Sequence, residues 1–259
     1  MNFPDHGFPH GYFIIRSVAS DRLLDIAGDT SDDGAELHLW PEKEKSLVES
    51  FRDPEANNQV FYIDTAGALC VRSAGHAVDI EDGCPVLRHR RPVSPPYPNA
   101  YSHPLPQFHY SSLTGHITVT FESDPAYPDY PNPNGPWRYK TYYLTSIPER
   151  RPRTLMDDAS DAIATAFRSP MSLFSIPNLQ NIQMPTSPSA PQETFDLRED
   201  EIEEQDRAEE NEADDSPEKG RKARVVGTRE EEDKRLGESA KRRRLWEVLP
   251  LRRAPAKTT

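Results

Sequence analysis

GYFIIRSVASDRLLDIAGDTSDDGAELHLWP, residues 11–41, contains most of one unit of the pattern that determines the fold. The unit begins with a glycine and a run of aromatic and β-branched residues. It then passes through an acid between two apolar residues (Asp25) and ends on an alternating stretch that carries Trp40. Short apolar runs of this kind, separated by turn residues, are typical of strands. The stretch therefore predicts β structure.

This unit recurs along the chain. GYFIIRS (11–17) matches GALCVRS (67–73), and GHITVTF (115–121) is a weaker copy. The acid between apolar residues also recurs, at Asp79. Similarity at an interval of about fifty residues indicates units that stack to bury a shared core.

Residues 11–148 hold nearly all the strand-like sequence. Prolines cluster between the strands, and proline cannot donate a hydrogen bond to a strand ladder, so we expect loops there. No amphipathic helical period interrupts this region, which predicts an all-β domain. The predicted strands lie in 11–17, 36–40, 59–64, 67–73, 85–89, 107–111, 115–121 and 141–147.

The order of motifs resembles the ricin B-type lectin family. The motifs are G-x-φ-x-φ, φ-D-φ, G-x-x-φ-x-φ-W and N-Q-x-F, where φ is apolar, and the resemblance covers about residues 8–150. It implies a β-trefoil, in which three repeats of four strands surround a pseudo-threefold axis. We therefore predict a β-trefoil domain of three degenerate four-strand repeats over 8–150, followed by a short helix and a long disordered tail.

The same resemblance implies site residues. In the family a sugar stacks on an aromatic ring of the repeat, while an aspartate and a polar residue near the end of the repeat bind its hydroxyls. The repeats end in a Q-x-W signature whose apolar residue packs in the core. The implied carbohydrate-binding residues are Asp25, His38, Trp40 and Asn58, and the implied structural signature residues are Gln59, Phe61 and Gln107.

A purely structural interpretation of these residues also stands. Aspartate readily caps turns through nearby backbone amides, and Trp40 can simply cover the barrel. In addition, the segment 41–57 is longer than the usual connection in the family and can carry Asn58 away from a ligand at Trp40.

After Pro148 the composition changes. Residues 151–170 predict a short amphipathic helix, and 171–259 predict a disordered linker. The linker contains an acidic block at 193–218, with 14 acidic and 2 basic side chains, and a basic block at 219–259, with 14 basic and 6 acidic ones. Thr228 and Glu231 form a capping box, so we expect the basic block to be partly helical.

The basic block carries a candidate nuclear import signal, Lys241, Arg242, Arg243 and Arg244. A solvated charge run is the alternative. Specific DNA binding is not expected, because no recognition motif is visible and the neighbouring acidic block competes with phosphate for the same cations.

Other functional classes lack support in the sequence. No G-x-S-x-G, P-loop, G-x-G-x-x-G or H-E-x-x-H motif is present, so we expect no enzyme, no cofactor and no metal. The start of the chain lacks a signal-peptide pattern and no apolar run is long enough to span a membrane, which favours an intracellular location, nucleus or cytoplasm, with Cys70 and Cys84 as thiols. The sequence thus predicts a lectin-like carbohydrate-binding module. The alternative is a β-trefoil scaffold that binds proteins instead of sugar, with the charged tail as a nuclear-targeting or partner-binding element.

Overall fold

The computed structural model describes residues 6–89, 103–125, 135–147, 221–234 and 236–253. Within these ranges the chain forms twelve strands and two short helices, joined by turns and 3-10 segments. The strands are β1 Phe13–Ser17, β2 Leu23–Ile26, β3 Leu37–Trp40, β4 Phe61–Ile63, β5 Leu69–Val71, β6 Ala77–Glu81, β7 Cys84–Arg88, β8 Gln107–Tyr110, β9 Ile117–Thr120, β10 Thr141–Ile147, β11 Arg221–Thr228 and β12 Trp246–Pro250. The helices are α1 Glu230–Asp233 and α2 Glu238–Arg243, and the 3-10 segments are Ala27–Asp29, Glu49–Phe51, Pro54–Gln59 and Pro136–Tyr139.

The strands divide into three groups of four with the same internal order. In each group the second and third strands form an antiparallel hairpin: β2 with β3, β6 with β7, and β10 with β11. Each hairpin buries one equivalent cross-strand pair in the main core. These pairs are Leu24 with Leu39, Val78 with Leu87, and Leu144 with Val225.

The three hairpins touch one another in a closed triangle. Glu36 forms a bridge with Val86, which joins the first hairpin to the second. The Val225 amide donates to the Gly83 carbonyl at 2.7 Å, which joins the third hairpin to the second. Strand β11 pairs with β3 and closes the triangle.

The remaining strands build the barrel beneath this cap. Strand β1 pairs with both β4 and β12, β4 pairs with β5, and β8 pairs with β9. The Trp246 amide donates to the Gly115 carbonyl at 2.7 Å, so the last strand also contacts the start of the third group. Three four-strand groups around a barrel with a threefold hairpin cap define a β-trefoil, as the sequence predicts.

The third repeat corrects the predicted domain boundary. Its last two strands, β11 and β12, lie in the basic block 219–259, which the sequence assigned to a disordered, partly helical linker. The domain therefore does not end at residue 150: residues 148–220 separate the two strands of one hairpin. The predicted helix over 151–170 and the acidic block 193–218 lie outside the described residues.

The partial helicity expected in the basic block is limited to α1 and α2. Gly237 lies between them, where glycine destabilises a continuous helix. From Trp246 onward the apolar residues alternate, because Trp246 and Val248 join the core and Glu247 is exposed. Period-two alternation fits a strand and not a helix.

One aromatic ring from each repeat fills the centre of the core. Phe61, Phe108 and Trp246 begin or nearly begin the fourth strand of their repeats and are fully buried. Gln59 precedes Phe61 by two positions, but Gln107 directly precedes Phe108. Gln107 is therefore out of register with the signature that the sequence assigned to it.

All eight predicted strands are present, with ends shifted by at most two residues. Two further strands, β2 and β6, contain the motifs around Asp25 and Asp79, which the sequence marked as motifs but not as strands. No disulfide joins Cys70 and Cys84, which lie on β5 and β7. Among the helices in the described ranges, none has the length and apolar character needed to cross a membrane.

Candidate functional site

The predicted carboxylate of the first repeat, Asp25, lies on β2 and has no exposed surface. Its Oδ1 accepts the backbone N–H of Ile26 at 2.7 Å, and its Oδ2 accepts the side-chain amide of Gln59 at 2.9 Å. Lys43 Nζ lies 3.2 Å from Oδ2. Hydrogen bonds from ionic and amide donors are what a buried carboxylate requires, and the chain itself supplies them here.

Burial dominates the electrostatics of this carboxylate. It raises the pKa of Asp25 above the ordinary value of 3.8, while the Lys43 ammonium and the Gln59 amide lower it in part. Lys43 is the more accessible partner, with 27% of its side chain exposed. The cation therefore stands between the buried acid and solvent.

Gln59 holds the start of the long segment that follows Trp40. Besides Asp25, its amide donates to the Pro41 carbonyl at 2.9 Å, and its carbonyl oxygen accepts the Lys43 amide at 3.0 Å. Gln59 thus binds backbone as well as the carboxylate. By fixing the backbone of Lys43, Gln59 also positions the ammonium that meets Asp25.

His38 and Trp40 form the surface of the site. Both lie on the outward face of β3, and their rings stack with centroids 5.5 Å apart and planes 15° from parallel. Asp25 is the cross-strand partner of His38 on β2, and Lys222 is its partner on β11. The half-buried aromatic pair thus borders the buried acid on one side and an exposed cation on the other.

Asn58 lies beneath the surface. It belongs to the 3-10 segment Pro54–Gln59, which Asp53 caps by accepting the Glu55 amide, and it is 4% exposed. The structure brings Asn58 next to Gln59 but not onto the exposed face that His38 and Trp40 form.

The insert 41–57 is held by hydrogen bonds within itself and to the C-terminal strand region. The guanidinium of Arg52 donates to the carbonyls of Glu44 and Ser46. The insert also meets the C-terminal strand region, because the Arg252 amide donates to the Leu47 carbonyl at 2.7 Å. The insert is therefore an ordered part of the first repeat.

The second repeat uses the same carboxylate position differently. Asp79 is buried and accepts the Ile80 amide at 2.8 Å. His103 Nε2 lies 2.7 Å from its Oδ2, and Arg88 Nε lies 3.4 Å from the same atom. Arg88 takes the strand position that Trp40 has in the first repeat, since each follows the core leucine of its hairpin.

The third repeat has no carboxylate at this position. Thr145 replaces the acid and pairs across the hairpin with Arg224. Arg244 precedes Trp246 by two positions, as Gln59 precedes Phe61. Its guanidinium binds Asp233 and lies 4.9 Å from the centre of the Tyr143 ring.

The candidate nuclear import signal lies within this repeat. Lys241 and Arg242 are exposed on α2, whereas Arg243 and Arg244 are 5% and 2% exposed. Half of the basic run is therefore buried in the folded domain, and the other half is exposed on α2.

Sequence reasoning did not find Lys43 or His103, and it assigned Arg244 to an import signal and not to the third repeat. Lys43 and His103 come from connecting segments whose path the repeat pattern does not specify. Arg244 had a usable signal, since R-L-W at 244–246 has the spacing of Q-V-F at 59–61 and a period-two stretch follows it.

No protein-family model and no curated protein sequence matches this chain. Among solved structures, the chain is similar to the C-half of an earthworm R-type lectin in complex with GalNAc, with 19% identity, 54% of this chain, 78% of that chain and a TM-score of 0.32. It is also similar to the Macrolepiota procera ricin B-like lectin in complex with lactose, with 15% identity, 52% of this chain, 73% of that chain and a TM-score of 0.27. The designed threefold-symmetric protein ThreeFoil matches with 16% identity, 52% of this chain, 77% of that chain and a TM-score of 0.30. These TM-scores are low, so the fold assignment rests on the strand pairing described above.

Proposed function

We propose that this chain is a non-enzymatic, lectin-like carbohydrate-binding module whose sugar site lies on the first repeat. The observation that supports this proposal is the stacked His38–Trp40 pair on the outward face of β3, directly beside the buried Asp25. A flat aromatic face packs well against the apolar face of a sugar ring, and nearby polar groups select its hydroxyls.

The burial of each residue supports a different part for it in the proposed site. Trp40 supplies the stacking surface, and His38 and the Lys43 ammonium supply polar contacts to hydroxyl oxygens. Asp25 and Asn58 are buried, so both support the site instead of contacting the ligand. Asp25 acts as a positioning residue, because its carboxylate holds the Lys43 ammonium and the Gln59 amide.

A glycan array followed by titration calorimetry tests this proposal on the full chain. We expect the wild type to bind at least one glycan, and Trp40→Ala to weaken that binding by about tenfold or more, as loss of one aromatic contact implies. Tyr139→Ala is the matched control, since Tyr139 is an aromatic residue outside the site with 80% exposure. Equal urea midpoints for both variants establish that the fold is intact.

Two results contradict the proposal. If the wild type binds no glycan on the array, the module is not a lectin. If Trp40→Ala binds as tightly as the wild type, the sugar site lies elsewhere.

One observation favours a second candidate function, a β-trefoil scaffold for protein partners. In the first and second repeats the buried carboxylate is already neutralised by the chain's own cations, Lys43 in one and Arg88 in the other. An array without any bound glycan leaves this candidate in place.

The nuclear-targeting part of that candidate has its own test. A reporter fused to the isolated segment 219–259 should enter nuclei, because all four basic side chains are then accessible. The same reporter fused to the full chain should show a smaller nuclear fraction, because Arg243 and Arg244 are buried. Equal nuclear fractions would contradict this account of the signal.

A further inference from the structure

A groove outside the first repeat combines aromatic and charged side chains. It lies between the end of β9, the 3-10 segment Pro136–Tyr139 and the start of β10, and its volume is about 560 Å³. That volume falls in the range of small-molecule sites in proteins. The side chains that concern its chemistry are Phe121, Glu122, Trp137, Arg138, Lys140 and Tyr142.

The aromatic side chains of the groove contact neighbouring side chains. Phe121 and Tyr142 meet edge to face with centroids 4.9 Å apart. The Arg138 guanidinium lies 4.9 Å from the centre of the Trp137 ring. Rings fixed in this way present an ordered apolar surface at little cost in conformational entropy.

A glycine in the neighbouring strand shapes one side of the groove. Gly227 on β11 pairs with Tyr142 on β10. A Cβ atom at this position would lie 2.6 Å from Tyr142 Cε1 and 3.2 Å from Lys140 Cδ. The absence of a side chain on Gly227 therefore lets these two lining residues lie close against β11.

The polar groups of the groove select a class of ligand. The Glu122 carboxylate only accepts hydrogen bonds, whereas Arg138 and Lys140 only donate them. A charged ligand of either sign meets both an opposite and a like charge in the groove. A polyhydroxyl ligand satisfies both kinds of partner, since each hydroxyl both donates and accepts.

We propose that this groove is a second saccharide-binding site, separate from the face formed by His38 and Trp40. None of the residues assigned to the first-repeat site lines it. The proposal does not depend on the function proposed for the first repeat, because its aromatic surface, its volume and its polar groups all belong to the third repeat.

Nuclear magnetic resonance on the full chain separates the two sites, because the chain has three tryptophans. The Trp40 indole reports on the first-repeat site and the Trp137 indole on the groove. The Trp246 indole is an internal reference, since it is buried and donates to the Leu144 carbonyl. Single Trp→Phe variants assign the three indole signals, and lactose, GalNAc and inorganic phosphate are the probes.

We expect lactose or GalNAc to shift the Trp137 signal in a saturable way and phosphate to leave it in place. Trp137→Ala should abolish saturable shifts of backbone amides around the groove, whereas the matched control Tyr139→Ala should retain them. Gly227→Ala should weaken sugar binding at the groove by about tenfold, the equivalent of a misplaced aromatic contact.

Three results overturn the proposal. These are a Trp137 signal unmoved by both sugars, a Trp137 signal that phosphate shifts more strongly than sugar, and groove shifts that survive in Trp137→Ala. A Trp40 signal that shifts while Trp137 stays fixed rejects the groove but keeps the first-repeat site. The opposite pattern rejects the first-repeat site and keeps the groove.

Discussion

The indole N–H of Trp246 donates a hydrogen bond of 2.8 Å to the backbone carbonyl of Leu144, a residue 102 positions earlier in the chain. The bond joins β12 to β10 within the third repeat. The Trp246 ring also completes the set of core aromatics that Phe61 and Phe108 begin. The C-terminal segment is therefore part of the trefoil core.

The first prediction concerns this ring. Trp246→Ala should lower the free energy of unfolding by about 3–5 kcal/mol, the usual cost of removing a large buried aromatic side chain. Trp246→Phe should cost clearly less, because it retains most of the buried ring and loses chiefly the hydrogen bond. Urea denaturation followed by far-ultraviolet circular dichroism measures both values.

Trp137→Ala is the control for the loss of a tryptophan as such, because Trp137 is half-buried and outside the core. A Trp246→Ala variant as stable as Trp137→Ala would contradict the placement of Trp246 in the core.

The second prediction concerns the Lys43–Asp25 pair. Lys43→Met should destabilise the protein at pH 7 by about 1–3 kcal/mol, because it leaves a buried carboxylate without its cation. The pKa of Asp25 is already raised by burial, and losing Lys43 raises it further. The folded state then holds its proton to higher pH than the unfolded state, so the stability of the variant falls as pH rises above the unfolded value of 3.8.

Urea denaturation between pH 4 and pH 7 measures the free energy of unfolding of wild type and Lys43→Met. The difference between these two free energies should become smaller toward pH 4. Lys45→Met controls for the loss of one positive charge from the same segment, and its effect should be small and nearly independent of pH. A constant difference between wild type and Lys43→Met across this range would show that the ammonium does not act on Asp25.

The third prediction concerns the thiols. Burial raises the pKa of Cys70 from 9.0 to about 11. At pH 8 only about one Cys70 side chain in a thousand is then a thiolate, which is the reactive form. Iodoacetamide should therefore label the half-buried Cys84 in the folded protein and Cys70 only in urea, as peptide mass spectrometry can measure.

The Cys84→Ser variant isolates the buried thiol in this experiment. Rapid labelling of that variant at pH 8 without denaturant would contradict the burial of Cys70.

The sequence predicted the architecture because repeats and short-range alternation are local signals. The glycine-led runs at 11–17 and 67–73 and the acids at Asp25 and Asp79 are each visible within a few residues. The third repeat was predicted only in its first half, because 73 residues separate β10 from β11 and a basic composition obscured the alternation around Trp246. A strongly charged composition suggests that a segment is exposed to solvent. A short stretch within it that alternates apolar and polar residues can still form a strand of the sheet.

The site was predicted less completely than the fold. The sequence marked Asp25, His38 and Trp40 as site residues, and the register between β2 and β3 brings them together. It did not show that Asp25 forms an ion pair with Lys43. The position of Lys43 depends on the hydrogen bond that its backbone amide donates to the Gln59 side chain. Contacts between a connecting segment and a strand depend on three-dimensional packing and have no sequence period.

The central claim is that residues 221–250 complete the third repeat of the trefoil. Hydrogen exchange by mass spectrometry on the full chain tests it most directly, with peptides that cover 222–228 and 246–250. We predict that their amides exchange more slowly than unstructured ones by on the order of a thousandfold, at rates like those of β1, because they share its cooperative core. Complete exchange of both peptides within the time of an unstructured segment, while β1 stays protected, would contradict the claim.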